Sequence, residues 1–354
     1  MKKKKKTGKK KRKKEKIGRK KSSLILSFLL GAFILIGIII YFSFPISNTK
    51  EQVEIYIPAG SNASYIATLL QDHGLIKSKD FFLFFLKILG KEREIKSGYY
   101  LLSPSYSILK ILNVLTQGKP ITIKVTIPEG ENISGIAKIL KEKLGISEET
   151  FVTLCKDKNF VSGLFRNYRN FLGDDTPISL EGYLFPSTYL FPKGIKEDEI
   201  ISTLLEEFFR QISRNFPDYR EALEKLNLSF NDWIVLASIV EKEAKLDNER
   251  PLIAGVFLNR LKKGYKLESC ATVEYLYNFQ KPVLYYDDLK IDSPYNTYIY
   301  YGLPPTPIAS PSIKSLMAVL SPKGDFLFFV AKGDGSHIFT RTYEEHLKAQ
   351  GYKK

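Results

Sequence analysis

From Leu24 to Phe44 the chain runs for 21 residues without a charged side chain, and the next charge is Lys50. At about 1.5 Å per residue such a helix is roughly 31 Å long, the thickness of a bilayer core. Beyond it the pattern breaks into short units. Val53-Glu54-Ile55-Tyr56-Ile57 and Ile123-Lys124-Val125-Thr126-Ile127 alternate with the period of a half-buried strand. Each is followed by Pro-x-Gly and then by Ile, Ala and Leu at helical spacing, which predicts a strand, a turn and a helix in each copy. At an offset of 70 residues, nine of the 20 positions from Ile57 to Ile76 are identical, so the two units are an internal repeat. Each copy later reaches a Gly-Tyr segment, Lys96-Ser97-Gly98-Tyr99-Tyr100-Leu101 and Leu180-Glu181-Gly182-Tyr183-Leu184-Phe185-Pro186, both expected as short strands. If these match, Glu181 stands where the first copy has Ser97. It is then either a substrate contact or auxiliary acid, or an exposed strand-edge side chain.

The second half reads as helices. Ser229 and Asp232 form an N-cap and N3 pair, with Leu228 and Trp233 at the staple positions. The helix they start carries Trp233, Leu236, Ala237, Val240 and Ala244 on its apolar side, and it places Glu243 in or near its last turn. Asn248 is the expected N-cap of the next helix, with Pro251 in its first turn and Gly264 as its stop. The short connection at Leu246-Asp247 makes the two helices neighbours and brings Arg250 toward Glu243. Asn259 and Arg260 fall among apolar positions, so one of them is expected to be a buried polar group with a partner. Tyr295-Asn296-Thr297-Tyr298 precedes the stiff loop Gly302-Leu303-Pro304-Pro305-Thr306-Pro307, a wall suited to a long groove with aromatic and amide groups for sugars. Ser310-Pro311 is expected to open a helix. Phe326–Val330 and Ser336–Thr340 are expected to form a hairpin around Gly333-Asp334-Gly335, with His337 a packed strand residue.

Charge changes the picture only at one end. Of the 54 Lys and Arg residues, 15 lie within residues 2 to 21 beside a single acid, Glu15. The remaining 333 residues carry 39 basic and 37 acidic side chains, so the folded part is nearly neutral. That balance argues against a nucleic-acid surface. Arm and apolar run together read as a retained single-pass anchor with its N-terminus in the cytoplasm. The apolar run is long for a signal peptide, and no clear small-x-small cleavage site follows it. The arm is also suited to anionic headgroups, at about 1 kcal/mol per basic residue near the surface. Two cysteines, Cys155 and Cys270, and three scattered histidines give no metal spacing, so neither a metal nor a cofactor is expected. Whether the cysteines pair is left open.

The candidate chemistry lies in Ala237-Ser238-Ile239-Val240-Glu241-Lys242-Glu243. A carboxylate at a helix C-terminus faces the negative end of the dipole, and apolar neighbours such as Leu236, Ile239 and Val240 add desolvation. Both favour the protonated form that a general acid requires. Glu241, two residues away, points to another face and cannot double it; it is suited to orienting Arg250 or Arg260, or to contacting substrate.

The strand-turn-helix repeat resembles half of a LysM-type module, a small fold often used to grip glycan chains. Taken in order, the anchor, the Ile-Pro-x-Gly repeats, Leu180–Pro186, Ala237–Glu243, Asn259-Arg260, Tyr295–Tyr298 and Gly302–Pro305 resemble the endolytic murein transglycosylase family (YceG-like proteins). The resemblance covers about residues 22 to 350. It implies cleavage of nascent peptidoglycan strands at the outer face of the cytoplasmic membrane, with the catalytic glutamate mapped onto Glu243. Glu241, Glu181, Arg250, Asn259, Arg260, Tyr295, Asn296 and Thr297 are the candidate substrate-binding or supporting residues. Peptidoglycan synthases are the implied protein partners. Thr306, Ser310 and Ser312 stand where Gly, Asn and Gly are expected, and Cys270-Ala271 stands where many members have Asp-Pro. The expected fold is α+β: a basic arm (1–21), a transmembrane helix (22–44), a LysM-like β/α subdomain (50–120) and a mixed α/β catalytic domain (121–350). A muramidase using Glu181 as its second carboxylate is the enzymatic alternative. A non-catalytic glycan-binding scaffold for wall synthases is the other.

Overall fold

The structure is a computed structural model that describes residues 26–351 apart from Ala59, Asp174 and Pro282; the basic arm lies outside the described residues. Helix α1 (Leu26–Ser43) has a mean hydropathy of 2.5 and none of its residues is buried. Such a helix fits a single-pass membrane anchor. The chain divides into two compact units, residues 1–122 and 123–354.

In the first unit, β1 (Val53–Ile57) leads to α2 (Ala63–Asp72), α3 (Lys79–Ile88), β2 (Gly98–Leu102) and α4 (Ile108–Gln117). The strands pair antiparallel from Val53↔Leu102 to Ile57↔Gly98. Their inward residues Ile55, Ile57, Tyr100 and Leu102 close on Leu70, Phe82, Leu86 and Leu115 of the helices. Asn62, Ser78 and Ser107 cap the three helices through side-chain oxygens, each accepting from the amide three residues on.

The second unit begins within β3 (Thr122–Thr126), followed by α5 (Ile133–Leu144), α6 (Glu148–Lys156), α7 (Lys158–Phe165) and the short α8 (Arg169–Leu172). The repeat is visible in its details. Asn132 caps α5 by accepting from Gly135 N at 2.8 Å, as Asn62 accepts from Tyr65 N at 2.8 Å. Gly60 and Gly130 share left-handed φ values of 76° and 77°, a conformation that favours glycine at both turns.

The copies diverge after that. Strand β3 pairs with β4 (Thr188–Pro192). The expected strand at Leu180–Pro186 is instead a run of turns, because Gly182 has φ 81° and a Cβ there would meet Pro307 Cβ at 2.3 Å. Glu181 is therefore no strand-edge residue and has no counterpart in Ser97.

Helices α9 (Glu197–Asn215), α10 (Tyr219–Leu226), α11 (Phe230–Glu243) and α12 (Arg250–Lys262) follow, then α13 (Cys270–Leu276) and α14 (Ile313–Leu320). A hairpin of β5 (Phe328–Ala331) and β6 (His337–Thr340) and the terminal α15 (Tyr343–Ala349) complete the unit. Helix α11 is the central element. Phe230 and every residue from Trp233 to Val240 are buried, and it packs against α12 and α14. Trp233 donates its indole N–H to Leu316 O at 2.9 Å, which satisfies the one polar atom of its ring.

Two helix starts differ from expectation. Glu249, not Asn248, is the N-cap of α12, and it caps without a side-chain bond; Pro251 is in the first turn as expected. Helix α14 opens at Ile313 behind Ser312, because the Ser310 backbone is bonded to the Gly130 turn instead (Gly130 N–Ser310 O 2.9 Å). Cys155 and Cys270 are both free thiols.

Candidate active site

Sequence places Glu243 at the end of α11 and the structure makes it the last helical residue. Both halves of the Ser229–Asp232 capping box are formed, which fixes where the helix starts, and Ala244 ends it by turning extended (φ −83°, ψ 117°). The Glu243 carboxylate meets the start of α13. The Ser269 hydroxyl donates to its Oε1, and the Ala271 amide also donates to the carboxylate. Burial nonetheless raises its pKa above the ordinary carboxylate value, with the Ser269 bond pulling back and the Glu274 carboxylate adding to the rise. One edge of the side chain remains open to a cleft of about 400 Å³ shared with Arg260, Glu268, Cys270, Tyr298 and His337. This volume is in the range of small-molecule sites.

Glu241 points elsewhere. Its Oε1 lies 3.2 Å from Arg250 Nη1, and its Oε2 accepts from Ser312 N at 2.8 Å and Ser312 Oγ at 2.5 Å. Arg250 is itself buried, reaching Asp247 Oδ1 at 3.1 Å and Ser315 Oγ at 2.5 Å. The pair ties the end of α11 to the starts of α12 and α14, apart from the cleft.

Arg260 does line the cleft, and it is the more constrained of the two arginines. It donates to the carbonyls of Leu327 (2.7 Å), Lys266 (3.0 Å) and Leu267 (2.9 Å) and pairs with Glu268 at 3.0 Å. Asn259 donates to Phe326 O at 3.0 Å and serves the same β5 approach. Arg260 is the buried, partnered polar group expected of one of the two, and Asn259 is half-buried.

The Tyr295–Tyr298 loop divides in role. Asn296 is fully buried and clasps its own loop through Leu289 O and Ile291 O, both at 2.9 Å. Tyr295 bonds Thr306 at 2.8 Å and packs on Tyr275. Thr297 holds Ser269, accepting from its amide at 3.0 Å, and so acts on Glu243 at one remove. Tyr298 alone reaches the cleft, 3.1 Å from Cys270 Sγ.

Glu181 is buried away from the cleft. It accepts from Ile133 N at 2.9 Å at the start of α5 and from Tyr275 Oη at 3.1 Å. Burial pushes its pKa up to about 8 against those bonds.

Sequence reasoning missed Ser269, Glu249 and Glu268, named Tyr298 only within the Tyr295–Tyr298 motif, and read His337 as packing. His337 lies on the cleft with its ring Nδ1 2.7 Å from Glu249 Oε2, while its backbone amide donates to Glu249 Oε1 at 3.1 Å. Glu268 adopts a left-handed φ of 51°, uncommon for a residue with a side chain and a frequent companion of functional sites. No local signal in the sequence points to Glu249, because Asn248 is the expected cap of α12 and only the fold shows Glu249 there without a side-chain bond to its own helix. Of the departures from the family pattern, Thr306, Ser310 and Ser312 all lie off the cleft, and Cys270 lies on it.

The YceG-like family profile matches residues 55–351. The chain belongs to the YceG-like family. It is 34% identical over 310 residues to a Bacillus subtilis protein named endolytic murein transglycosylase, covering 86% of this chain and 85% of that one. A protein of the same name from Streptococcus pneumoniae is 34% identical over 325 residues, covering 85% of this chain and 58% of that longer one. The crystal structure of a YceG-like protein from Listeria monocytogenes is similar with a TM-score of 0.57 at 34% identity, over 85% of this chain and 99% of that chain. In this YceG-like chain, the helix-terminal glutamate and its cleft are contained wholly in the second unit.

Proposed function

We propose that this YceG-like protein is a membrane-anchored endolytic murein transglycosylase that cuts the MurNAc–GlcNAc β-1,4 bond of nascent glycan strands. The observation that carries the reading is Glu243, a carboxyl group biased toward its neutral form that opens on a cleft of small-molecule size. As an acid, Glu243 gives its proton to the glycosidic oxygen, and the bond from that oxygen to C1 of MurNAc breaks. As a carboxylate, it then takes the proton of the MurNAc 6-hydroxyl, whose oxygen bonds to C1. The strand ends in a 1,6-anhydro sugar, the carboxyl group is restored, and water takes no part. Ser269 holds the carboxyl group by Oε1 and so fixes its orientation at the cleft.

Helix α1 and the basic arm before it support a single pass with the catalytic part outside the cytoplasm. Within the first unit, residues 50–120 are the LysM-like subdomain that holds the strand, while residues 121–350 cut it. A wall synthase supplying the nascent strand is the partner this chemistry calls for.

A hydrolytic outcome has one specific observation in its favour. Glu268 shares the cleft with Glu243, and a second carboxylate at about 5–5.5 Å or 6.5–9.5 Å is what a glycosidase requires. The pairing of Glu268 with Arg260 favours a structural use of that side chain. Glu243→Gln tests the main reading: the variant should retain binding to peptidoglycan sacculi and lose strand shortening. A Gln variant that still shortens uncrosslinked strands contradicts it.

A further inference from the structure

Helix α3 carries two apolar faces where its fold needs one. Phe82 and Leu86 are fully buried in the core of the first unit. Phe81, Phe84, Phe85 and Ile88, at helical spacing i, i+3, i+4 and i+7, form a second stripe beside the first; Phe81 and Phe85 are partly buried against the same core, and Phe84 and Ile88 are exposed. Phe84 is 48% exposed, Ile88 is 64% exposed and Leu89, just past the helix, is 44% exposed. The three phenylalanines of the stripe touch one another, with centroids 5.3 to 6.1 Å apart, so the patch is continuous. Uncovered apolar surface of this kind marks a place where something binds.

The stripe starts where the apolar span ends. Phe42, in the last turn of α1, stacks on Phe81 with ring centroids 4.9 Å apart. Lys77 donates to the carbonyl of Tyr41 at 2.8 Å and lies 4.3 Å from the centre of its ring. Beyond α1, Ile46 N and Ser47 N donate to Pro104 O at 3.1 and 3.2 Å. The chain leaving α1 is thus bonded to the first unit at once. A lysine and a tyrosine at this level match the groups that settle at headgroups, with an apolar body below and a polar tip in water.

We propose that α3 is a membrane-docking helix, with Phe84, Ile88 and Leu89 seated among the lipids of the outer leaflet of the bilayer that α1 crosses. The occupant is lipid because the stripe continues the lipid-facing surface of α1 through Phe42 and Phe81. This rests on the reading of α1 as an anchor. Docking holds the glycan-gripping unit against the membrane, where new strands emerge.

The test uses the full chain in phosphatidylethanolamine–phosphatidylglycerol vesicles containing a lipid with a photoactivatable diazirine in its acyl chain. After illumination, lipid adducts are mapped by peptide mass spectrometry. The expected result is adducts on both α1 and α3, the latter at Phe84 and Ile88. The double variant Phe84→Glu/Ile88→Glu should lose the α3 adducts at least severalfold, keep those on α1 and keep its circular dichroism, since Phe82 and Leu86 are untouched. Adducts on α1 with none on α3 overturn the docking and leave the anchor standing. No adducts on α1 overturn the anchor reading and the docking with it. Protein–protein cross-links through α3 in place of lipid adducts assign the stripe to a second copy and also overturn the inference.

Discussion

Glu241 and Glu243 lie two residues apart on α11 and end in opposite surroundings. Glu241 faces Arg250 at 3.2 Å and Ser312, whereas Glu243 takes the hydroxyl of Ser269 and opens on the cleft. About 200° of helical rotation separates them. One carboxylate braces the helix end so that the other can be held in a single geometry, biased toward its protonated form.

The brace can be removed alone. The Glu241 side chain is 6% exposed, and losing its partner leaves it buried beside Ser312 only. Arg250→Met should cost about 3–5 kcal/mol, as breaking a buried pair from one side does. Urea unfolding checks this, and the Glu241→Gln/Arg250→Met double variant should recover part of the loss.

The pH dependence follows from Ser269. Its hydroxyl stabilises the charged form of Glu243 and so lowers a pKa that burial has raised. The first step needs the acid, so activity should fall as pH rises through the Glu243 pKa. Ser269→Ala removes the lowering influence and should move that falling limb to higher pH by about one unit, the worth of one charge-assisted hydrogen bond. A pH–rate profile of strand cleavage reads the direction; a limb that moves down in pH contradicts the assignment.

His337 is held at the cleft by the Glu249 carboxylate from both its ring and its backbone. Glu249→Gln and His337→Ala should each lower kcat by about tenfold, and the double variant should be no worse than either, because residues acting as a unit are not additive. Full additivity of the two losses would separate them.

Much of this arrangement was legible in the sequence because local chemistry fixed it. The capping box at Ser229 and Asp232 sets where α11 starts, and a helix of ordinary length from there brings Glu243 to its last turn. The repeat showed through because two asparagine caps and two left-handed glycines do the same work at an offset of 70 residues. What stayed hidden depends on tertiary contact. Nothing near Leu180 in sequence announces that Pro307 crowds Gly182 and turns the chain, which moves the paired strand to Thr188 and buries Glu181. Ser269 bonds Glu243 from the start of α13, and His337 joins the same cleft from β6; no periodicity within either segment records that meeting. Of the two causes expected for Glu243, helix end and desolvation, burial leads the shift, and the unforeseen Glu274 adds to it.

Glu181 has its own pH signature. Its pKa is about 8 in the folded protein and near 4.5 when unfolded. Between those values the folded state binds the extra proton, so stability should decline as pH rises from about 4.5 and level off above about 8. A single such group contributes at most about 1.4 kcal/mol per pH unit. Glu181→Gln should flatten that decline in urea unfolding at pH 5, 6.5 and 8. An unchanged slope means the decline has another source.

The most direct measurement is the chain-end chemistry of cleaved strands. Uncrosslinked glycan is digested in water enriched in heavy oxygen, and the fragments are weighed. The account predicts 1,6-anhydro ends, one water lighter than reducing ends and without heavy oxygen, and no fragments from Glu243→Gln. Reducing ends carrying the solvent's oxygen would contradict it and place a water, with a second carboxylate such as Glu268, in the reaction.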